Sequence, residues 1–387
     1  MKSNRISKRM SRAIVCGLVG VLLLSVSVFA AYGSASGYGK YKEAVTSLIT
    51  DTKNATMKLS QTITYDGEVT YKNVSITKMD GTNGSTHTKE VSKDKSYNYE
   101  NWYSSVNGQA IQFSAGDNYY NTWDDDYFAN PFGESEYSDK IVKFTSLLAD
   151  TVLGDLKNNF VLVNSEKGFH TYSLDLTADQ MPALVNAGLD LMLVSAGTNT
   201  GYTIYEDSDS TLKDYYEKNH DEALPEDFFE KVNGSDAPGS YYDIYDDTWE
   251  EMNNYYDNLL EENYDGNGIM YVKADGTYEM FDDYAAYCHA YEMYGNSITD
   301  YLGANAIMSK ATMNVTFDDN NRIAENDGTV YFEQTDKDGT KHTLEYTLRL
   351  DIADYGTTKV TPFDTGDRVN YDDVVNEVDY FNENESK

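Results

Sequence analysis

The stretch TMKLSQTITYDGEVTYKNVSITKMDG, residues 56–81, decides the fold of this chain. Apolar or β-branched side chains recur at alternate positions on both sides of Asp66-Gly67, as in two strands that each bury one face. An Asp-Gly pair between two such runs is a strong signal for a tight hairpin turn. The stretch therefore predicts an antiparallel hairpin, the first part of a meander with one solvated face.

The same alternation with a period of two returns later in the chain. Strands are predicted within 95–123, with a turn at Asn107-Gly108, and near 160–174, with a turn at Lys167-Gly168. The last hundred residues also alternate cleanly. There, Asp327-Gly328 and Asp338-Gly339 are interpreted as turns between strands.

Helical spacing of apolar residues interrupts the strands. Helices are predicted at 40–50, around 141–156, at 177–193, near 209–219, at 245–262 and from 282 to 308. In the last of these, tyrosines recur at spacings of three and four residues from Tyr284 to Tyr301, which is typical of a buried helix face. Residues 200–266 are rich in carboxylates and Tyr, which marks an acidic, mainly helical insertion.

The first thirty-one residues carry an export signal. Five Lys or Arg residues precede the apolar run AIVCGLVGVLLLSVSVFAA, residues 13–31. This pattern keeps the charged end in the cytoplasm. Cleavage after Ala30 would release the protein, whereas an uncleaved run of about 19 residues is long enough to anchor it in the membrane. Lipidation at Cys16 is disfavoured, because most of the apolar run follows that cysteine.

The part of the chain after the export segment is strongly acidic. The whole chain carries −35, and residues 1–30 hold five Lys or Arg and no Asp or Glu, so the remainder carries −40. A charge of this size disfavours nucleic acid and anionic lipid head groups as partners. Cys288 is the one cysteine of this part, so an intramolecular disulfide is excluded there, which suits a Gram-positive bacterial envelope.

The order of elements and three short segments carry a resemblance. TADQMPALVNAG (177–188), NVTFDDNNRIAEN (314–326) and LDIADYGTT (350–358) follow a long antiparallel meander. Together they resemble the half-barrel folds of the LolA, LppX and RseB-like bacterial envelope proteins. That resemblance implies a curved antiparallel sheet around a helix-lined apolar cavity, and the carrying or sensing of acyl chains or lipoproteins outside the membrane.

The predicted fold class is α+β, a curved, half-barrel-like antiparallel sheet packed on helices, with an acidic helical insertion. The expected divisions are a signal peptide or membrane anchor at 1–31, a sheet domain at 40–199 and 306–362, an insertion at 200–305 and an acidic tail at 363–387. The insertion has no place in the half-barrel pattern and would cover, replace or abolish a lipid cavity.

The predicted function is non-enzymatic binding outside the cytoplasm, with a lipid, an amphipathic ligand or an envelope protein as the partner. Apolar strand residues are expected to line the core or a cavity: Leu59, Ile76, Ile111, Phe113, Val161, Leu174, Phe332 and Leu348. The alternative is a surface recognition or adhesion module, in which the tyrosines and carboxylates of the insertion bind a protein or glycan.

Catalytic patterns are not found in the sequence. The five histidines lie far apart along the chain, and no G-x-S-x-G motif exposes a serine nucleophile. No closely spaced histidine pair suggests zinc. Three Trp residues are few for the sugar-binding cleft of a glycosidase. We therefore expect no enzyme, with a cell-wall hydrolase as the enzymatic alternative.

One loop approaches the pattern of a calcium site, although no cofactor is expected. Asn263, Asp265 and Asn267 occupy positions 1, 3 and 5 of an EF-hand-like loop, and Gly268 occupies position 6. Position 12, which should be a bidentate Glu, is Ala274. The sequence therefore favours a turn leading into a hairpin over a calcium site.

Overall fold

The protein has an α+β fold. The computed structural model describes residues 37–95, 98–125, 160–180, 202–220, 222–234, 237–264, 268–295, 297–303, 305–336 and 339–371. The chain divides into two compact units: unit 1 comprises Met1–Ala187 and Ile307–Lys387, and unit 2 comprises Gly188–Ala306. The predicted export segment lies outside the described residues. Within the described ranges, no helix is both long and apolar enough to cross a membrane.

Unit 1 is built on one sheet of twelve strands. Its strands are β1 (Asn54–Tyr65), β2 (Glu68–Asp80), β3 (Gly84–Ser92), β4 (Tyr99–Val106), β5 (Gln109–Ser114), β6 (Tyr119–Asp124), β7 (Val161–Glu166), β8 (Phe169–Thr177), β12 (Ile307–Asp318), β13 (Ile323–Thr335), β14 (Lys341–Ala353) and β15 (Val369–Asn370). The spatial order is β7-β8-β12-β13-β14-β1-β2-β3-β4-β5-β6-β15, so β7 and β15 are its edge strands. The expected sheet was purely antiparallel. The observed one is mixed, because β15 runs parallel to β6.

The hairpin predicted from residues 56–81 is confirmed. Asp66 and Gly67 have φ angles of 49° and 79°, the pair of positive values that a type I′ turn requires. The turn predicted at Asp327-Gly328 is wrong, because β13 continues through both residues. The chain instead turns before β13, where Asn321 has a φ of 58° and the side chain of Asp318 accepts from Asn320 N and Arg322 N.

Helix α1 (Gly37–Thr50) covers the helix predicted at 40–50 and packs on β13. Tyr41, 1% exposed, makes edge-to-face contacts with Phe160 and Phe317, and its hydroxyl accepts from Asn326 Nδ2 over 3.3 Å. Asn321 Nδ2 also donates to Lys40 O. The helices predicted around 141–156 and at 177–193 lie outside the described residues, except for a 3₁₀ turn at Ala178–Gln180.

The two faces of the sheet are defined by what packs on them. The α1 face carries the odd-numbered residues of β1 and the even-numbered residues of β14, because directly paired residues point to the same side. The opposite face is called the tail face, because the C-terminal segment, residues 354–371, lies against part of it, from β1 to β6.

The C-terminal segment is held to the tail face along its length. Val360 N donates to Asp80 Oδ2, and Phe363 N donates to Ser104 Oγ. The guanidinium of Arg368 lies 4.4 Å from the ring centroid of Phe113, and its Nε donates to Asp117 O. The predicted tail began at 363 and was expected to fray. The structure shows that its first part, through Tyr371, is bound to the sheet.

Unit 2 is assembled around its own core. Its elements are β9 (Tyr202–Tyr205), α2 (Ser208–Asn219), α3 (Phe228–Gly234), α4 (Gly239–Tyr264), β10 (Ile269–Val272), β11 (Tyr278–Phe281) and α5 (Tyr284–Ala290). The core consists of Leu212, Leu224, Phe228, Met252, Tyr256, Leu260, Met270 and Val272. The three strands form a small sheet in which β10 pairs with both β9 and β11.

The long helix predicted from 282 to 308 is wrong. Helix α5 ends at Ala290, and Glu292 then adopts a positive φ of 51°. The tyrosine repeat reflects packing on strand β10 instead: the Tyr291 and Tyr287 ring centroids lie 4.5 Å and 5.4 Å from that of Tyr271. The helical spacing of these tyrosines therefore corresponds to one short helix and the turn after it, not to one long helix.

Candidate functional site

The eight predicted ligand-binding residues do not share one face of the sheet. Leu59, Leu174, Phe332 and Leu348 lie on the α1 face, and all four are buried or nearly so. The other four do not lie on this face.

The remaining four lie elsewhere for a physical reason. Ile76 pairs with His87, Ile111 pairs with Ser104, and Phe113 pairs with Trp102, all on the tail face. The C-terminal segment lies on this second face, so apolar side chains on both faces of a strand are protected from water. Val161 lies on edge strand β7 and is 54% exposed.

The α1 face changes its chemistry between β1 and β2. Registers of successive strands align residues in rows across the sheet, about 4.8 Å apart from strand to strand. One row reads Tyr172, Val315, Asn326, Leu350, Leu59, Ser75, Thr88, Asn101 and Ser114. The next row reads Leu174, Met313, Gly328, Leu348, Gln61, Asn73, Glu90 and Tyr99. The face is therefore mainly apolar from β8 to β1 and polar from β2 to β5.

We call the second region the polar half. Its members are Asn73, Ser75, Thr77, Thr86, Thr88, Glu90, Tyr99, Asn101, Tyr103, Gln112 and Ser114. Several of these side chains are buried although they are polar, among them Ser75, Thr77, Thr86 and Asn101. Buried hydroxyl and amide groups in such density are unusual for a sheet core, which makes this half the candidate site.

Cross-strand hydrogen bonds order much of the polar half. Ser75 Oγ and Thr88 Oγ1 lie 3.1 Å apart, and Thr77 Oγ1 and Thr86 Oγ1 lie 3.2 Å apart. Asn73 Nδ2 donates to Glu90 Oε1 over 2.9 Å. The polar groups are thus held in fixed positions before any ligand arrives, as a binding surface requires.

Asn101 has hydrogen-bonding capacity left over at the centre of this half. Asn101 is 1% exposed, and its Nδ2 donates to Phe113 O and Ser114 Oγ. Its Oδ1 is buried with no hydrogen-bond partner among the described residues. An unpaired buried acceptor costs about 1–3 kcal/mol, so a donor that bonded to this oxygen would recover that free energy.

Burial also alters the ionisation of the site. It raises the pKa of the Glu90 carboxyl, against the opposing effect of hydrogen bonds from Tyr71 and Asn73. Burial likewise raises the pKa values of Tyr99 and Tyr103, and Asp125 adds to the effect on Tyr103. Tyr103 Oη donates to Asp125 Oδ2 over 2.5 Å, and its ring stacks on that of Trp123 at 6.0 Å. The tyrosines therefore act as neutral hydrogen-bonding groups at neutral pH.

The sequence contains a pattern that corresponds to the polar half, but the pattern does not distinguish a binding site from an ordinary strand. Ser and Thr alternate with other residues through GSTHTKE, residues 84–90, and this pattern is also typical of a solvated strand face. Burial of these hydroxyl groups is visible only in the structure.

A second cluster of titratable groups lies at the far end of strands β1 and β14. His342 Nδ1 lies 2.8 Å from Asp66 Oδ2, and its Nε2 lies 3.2 Å from Asp336 Oδ2. Both ring nitrogens therefore face carboxylates, an arrangement that favours the protonated imidazolium. This cluster is best described as an ionic link between two hairpin ends.

The calcium candidate falls almost entirely outside the described residues. Asp265 and Asn267 are not described, and Asn263 is the penultimate residue of α4. The predicted hairpin after the loop is confirmed, since β10 pairs with β11 in antiparallel fashion and Gly276 in the turn has a φ of 75°.

Comparison of this chain with protein-family models, curated proteins and solved structures finds no match.

Proposed function

We propose that this chain is a non-enzymatic, extracytoplasmic binding protein of a Gram-positive bacterial envelope that holds an amphipathic ligand against the α1 face. The observation that carries the proposal is the change of that face from apolar at Leu59 and Leu350 to polar at Ser75 and Thr88, along one row of paired residues. An amphipathic ligand also has an apolar part joined to a polar part. Its polar end would therefore lie over β2 to β5.

The proposal includes a curved, half-barrel-like sheet, as the resemblance to LolA-like proteins implies. Adjacent strands twist by roughly 20–25°, and sheets of more than about ten strands tend to curl or split. A sheet of twelve strands with two edges is in that range. A crystal structure of the protein with its bound ligand would test the curvature directly, and a flat sheet would rule the half-barrel out.

Ligand binding can be tested with variants that remove hydroxyl groups without changing side-chain shape. Thr86→Val and Thr88→Val together remove two hydroxyls from the polar half, and Thr329→Val with Thr347→Val removes a hydrogen-bonded pair from the tail face. A monoacylglycerol with a fluorescent label is the probe. We expect the first double variant to weaken probe binding about fivefold or more, from about 0.5–1.5 kcal/mol for each hydrogen bond, and the control to bind normally.

Native mass spectrometry of the protein purified without detergent would complement this titration by revealing a co-purified amphiphile. The proposal fails if the unaltered protein neither carries an amphiphile nor takes up the probe at high concentration. Equal binding by both double variants would remove the polar half from the binding site.

The location outside the cytoplasm rests on the export segment at residues 1–31. Cell fractionation followed by N-terminal sequencing would separate the two alternatives. A mature chain beginning at Ala31 indicates a released carrier, whereas an intact N-terminus in the membrane fraction indicates a tethered receptor. Recovery of the chain in the cytoplasmic fraction would contradict both.

Unit 2 supports the second candidate function, that of a surface recognition module. It has its own core, yet it exposes Tyr255 (48%) and Tyr278 (42%) amid many carboxylates. Exposed tyrosines in an acidic setting favour a cationic partner. Binding of an oligolysine peptide should weaken in a Tyr255→Ala, Tyr278→Ala variant but not in Tyr371→Ala, which changes a Tyr of matched exposure (42%) in unit 1. Equal binding by all three proteins would reject this candidate.

A further inference from the structure

The cations of the large sheet are distributed on one side only. Strand registers place every Lys or Arg of its described strands on the tail face: Lys58, Lys72, Lys78, Lys89, Lys310, Lys341 and Arg349. Their ion pairs are on the same face, for example Lys89 with Glu100 and Arg349 with Glu325. The described strands therefore offer no Lys or Arg side chain to a ligand on the α1 face.

The polar half presents hydrogen-bond acceptors instead. Asn101 Oδ1 is buried without a partner, and Glu90 contributes a carboxylate in the neighbouring row. Asn101 and Glu90 lie on adjacent strands, two residues apart in register, because Asn101 pairs with Thr88. Glu90 Oε1 already accepts from Asn73 Nδ2, so Asn101 Oδ1 is the unpartnered acceptor of this pair. A ligand that bonds to it must bring a hydrogen-bond donor, and an acceptor-only group such as a carboxylate cannot do so.

Aromatic groups border these acceptors. Tyr99 pairs with Glu90, and Tyr103 lies four residues further along the same strand, stacked on Trp123 with ring planes 18° apart. A flat aromatic surface beside fixed hydrogen-bonding groups suits a ring that has hydroxyls at its edge and C–H groups on its face.

We infer that the polar half selects an uncharged head group rich in hydroxyl donors, as a glycosyl or other polyol group is, and rejects anionic head groups. This inference rests on the proposed function and specifies the ligand class of the same site. Two features support it independently: the unpaired acceptor at Asn101 and the placement of cations on the opposite face. An anion would lie beside Glu90, and the described strands place no Lys or Arg on that face to offset the repulsion. Lys40 of α1 lies over Tyr172 on the same face, at the other end of the row that contains Asn101.

The test compares two ligands with the same twelve-carbon chain. Dodecyl maltoside has a neutral, hydroxyl-rich head group, and dodecanoate has an anionic one. Each is titrated by calorimetry into the full-length protein, below its critical micelle concentration. We expect dodecyl maltoside to bind at least about tenfold more tightly than dodecanoate, a difference of about 1.4 kcal/mol or more.

Two variants of the polar half and one matched control test whether residues of the polar half cause the difference in affinity. Glu90→Gln should strengthen dodecanoate binding several-fold. The difference in affinity between the two ligands should therefore become smaller. Asn101→Leu should weaken dodecyl maltoside binding about fivefold and leave dodecanoate unchanged. Glu100→Gln changes a glutamate on the tail face of the next strand and should alter neither affinity.

The possible results distinguish the inference from the proposed function. If dodecanoate binds as tightly as dodecyl maltoside, or more tightly, the inference is wrong while the binding function stands. If the difference persists unchanged in both Glu90→Gln and Asn101→Leu, the selectivity arises elsewhere and the inference is also wrong. If neither ligand binds, the proposed function fails, and the inference fails with it.

Discussion

The side-chain amide of Asn326 donates a hydrogen bond to the hydroxyl of Tyr41 over 3.3 Å, and both residues are buried. The bond joins α1 to the centre of the apolar region of the sheet, where Asn326 pairs with Val315 and Leu350. An amide surrounded by apolar side chains is costly unless it is bonded, and Asn326 Oδ1 has no partner among the described residues, so the bond from its Nδ2 to Tyr41 offsets only part of the cost of burial.

Tyr41→Phe should therefore lower the free energy of unfolding by about 1–3 kcal/mol, because the Asn326 amide loses this partner in a buried position. The measurement is a urea titration followed by circular dichroism. A Tyr41→Phe, Asn326→Leu double variant should lose less than the sum of the single changes, because no amide is then left unpaired. Strict additivity of the two losses would show that the bond contributes nothing.

A pH-dependent contribution to stability is expected from His342. Burial alone would lower its pKa, but hydrogen bonds and charges from Asp66 and Asp336 outweigh burial and raise the pKa above the ordinary value of 6.5. The charged form is thus favoured in the folded state. Its stabilisation is fully present below pH 6.5 and is lost as the pH rises through the raised value.

The melting temperature of His342→Gln, measured from pH 5 to 8, should differ most from that of the unaltered protein at the acidic end. His170→Gln is the control, since His170 Nδ1 bonds to Ser165 Oγ rather than to a carboxylate. A constant difference for His342→Gln at every pH would exclude an ionic role.

Gly276 is expected to be the more sensitive of two turn glycines. Its φ is 75°, and a Cβ there would lie 2.7 Å from Asp214 Oδ2, whereas Gly339, with a φ of 90°, has nothing within 4 Å. Gly339→Ala should cost about 1 kcal/mol from backbone strain alone. Gly276→Ala should cost more, because Asp214, which also pairs with Lys218, must shift. If thermal unfolding shows the same loss of stability for Gly276→Ala and Gly339→Ala, Asp214 moves away from the new Cβ without cost.

Arg368 is expected to hold the C-terminal segment in place. Its guanidinium stacks on Phe113 and its Nε donates to Asp117 O, so Arg368→Ala should remove roughly 1–2 kcal/mol of local stability. Hydrogen exchange of residues 363–371 should then accelerate about fivefold or more. Arg349→Ala, which removes a surface cation from β14, should not affect this segment. If exchange there stays slow in Arg368→Ala, other contacts hold the segment.

The local hairpins could be predicted because a turn needs only adjacent residues. Asp66-Gly67 turns as predicted, but the identical dipeptide Asp327-Gly328 lies inside a strand. Gly328 pairs with Met313 on one side and Leu348 on the other, and its backbone is that of an ordinary strand residue. The same dipeptide can therefore form a turn or continue a strand, and the pairing with neighbouring strands decides which.

The candidate site could not be predicted, because it depends on the registers of several strands. Nothing in the sequence aligns Ser75 with Thr88 and Asn101, or places Ile76 on the opposite side. The apolar alternation of β2 also includes Val74 and Ile76, which lie half-buried on the tail face between the exposed Lys72 and Lys78. A strand with apolar side chains on both faces gives a pattern from which the ligand side cannot be chosen.

The carboxamide of Asn54 and the backbone of Thr358 exchange two hydrogen bonds across 304 residues of sequence. Strand β1, which begins at Asn54, is likewise completed only when β14 joins it. During synthesis, the first strand must therefore wait for almost the whole chain before its second edge is satisfied, and such distant contacts form slowly. The order of synthesis therefore makes the pairing of β1 with β14 one of the last steps in completing the sheet.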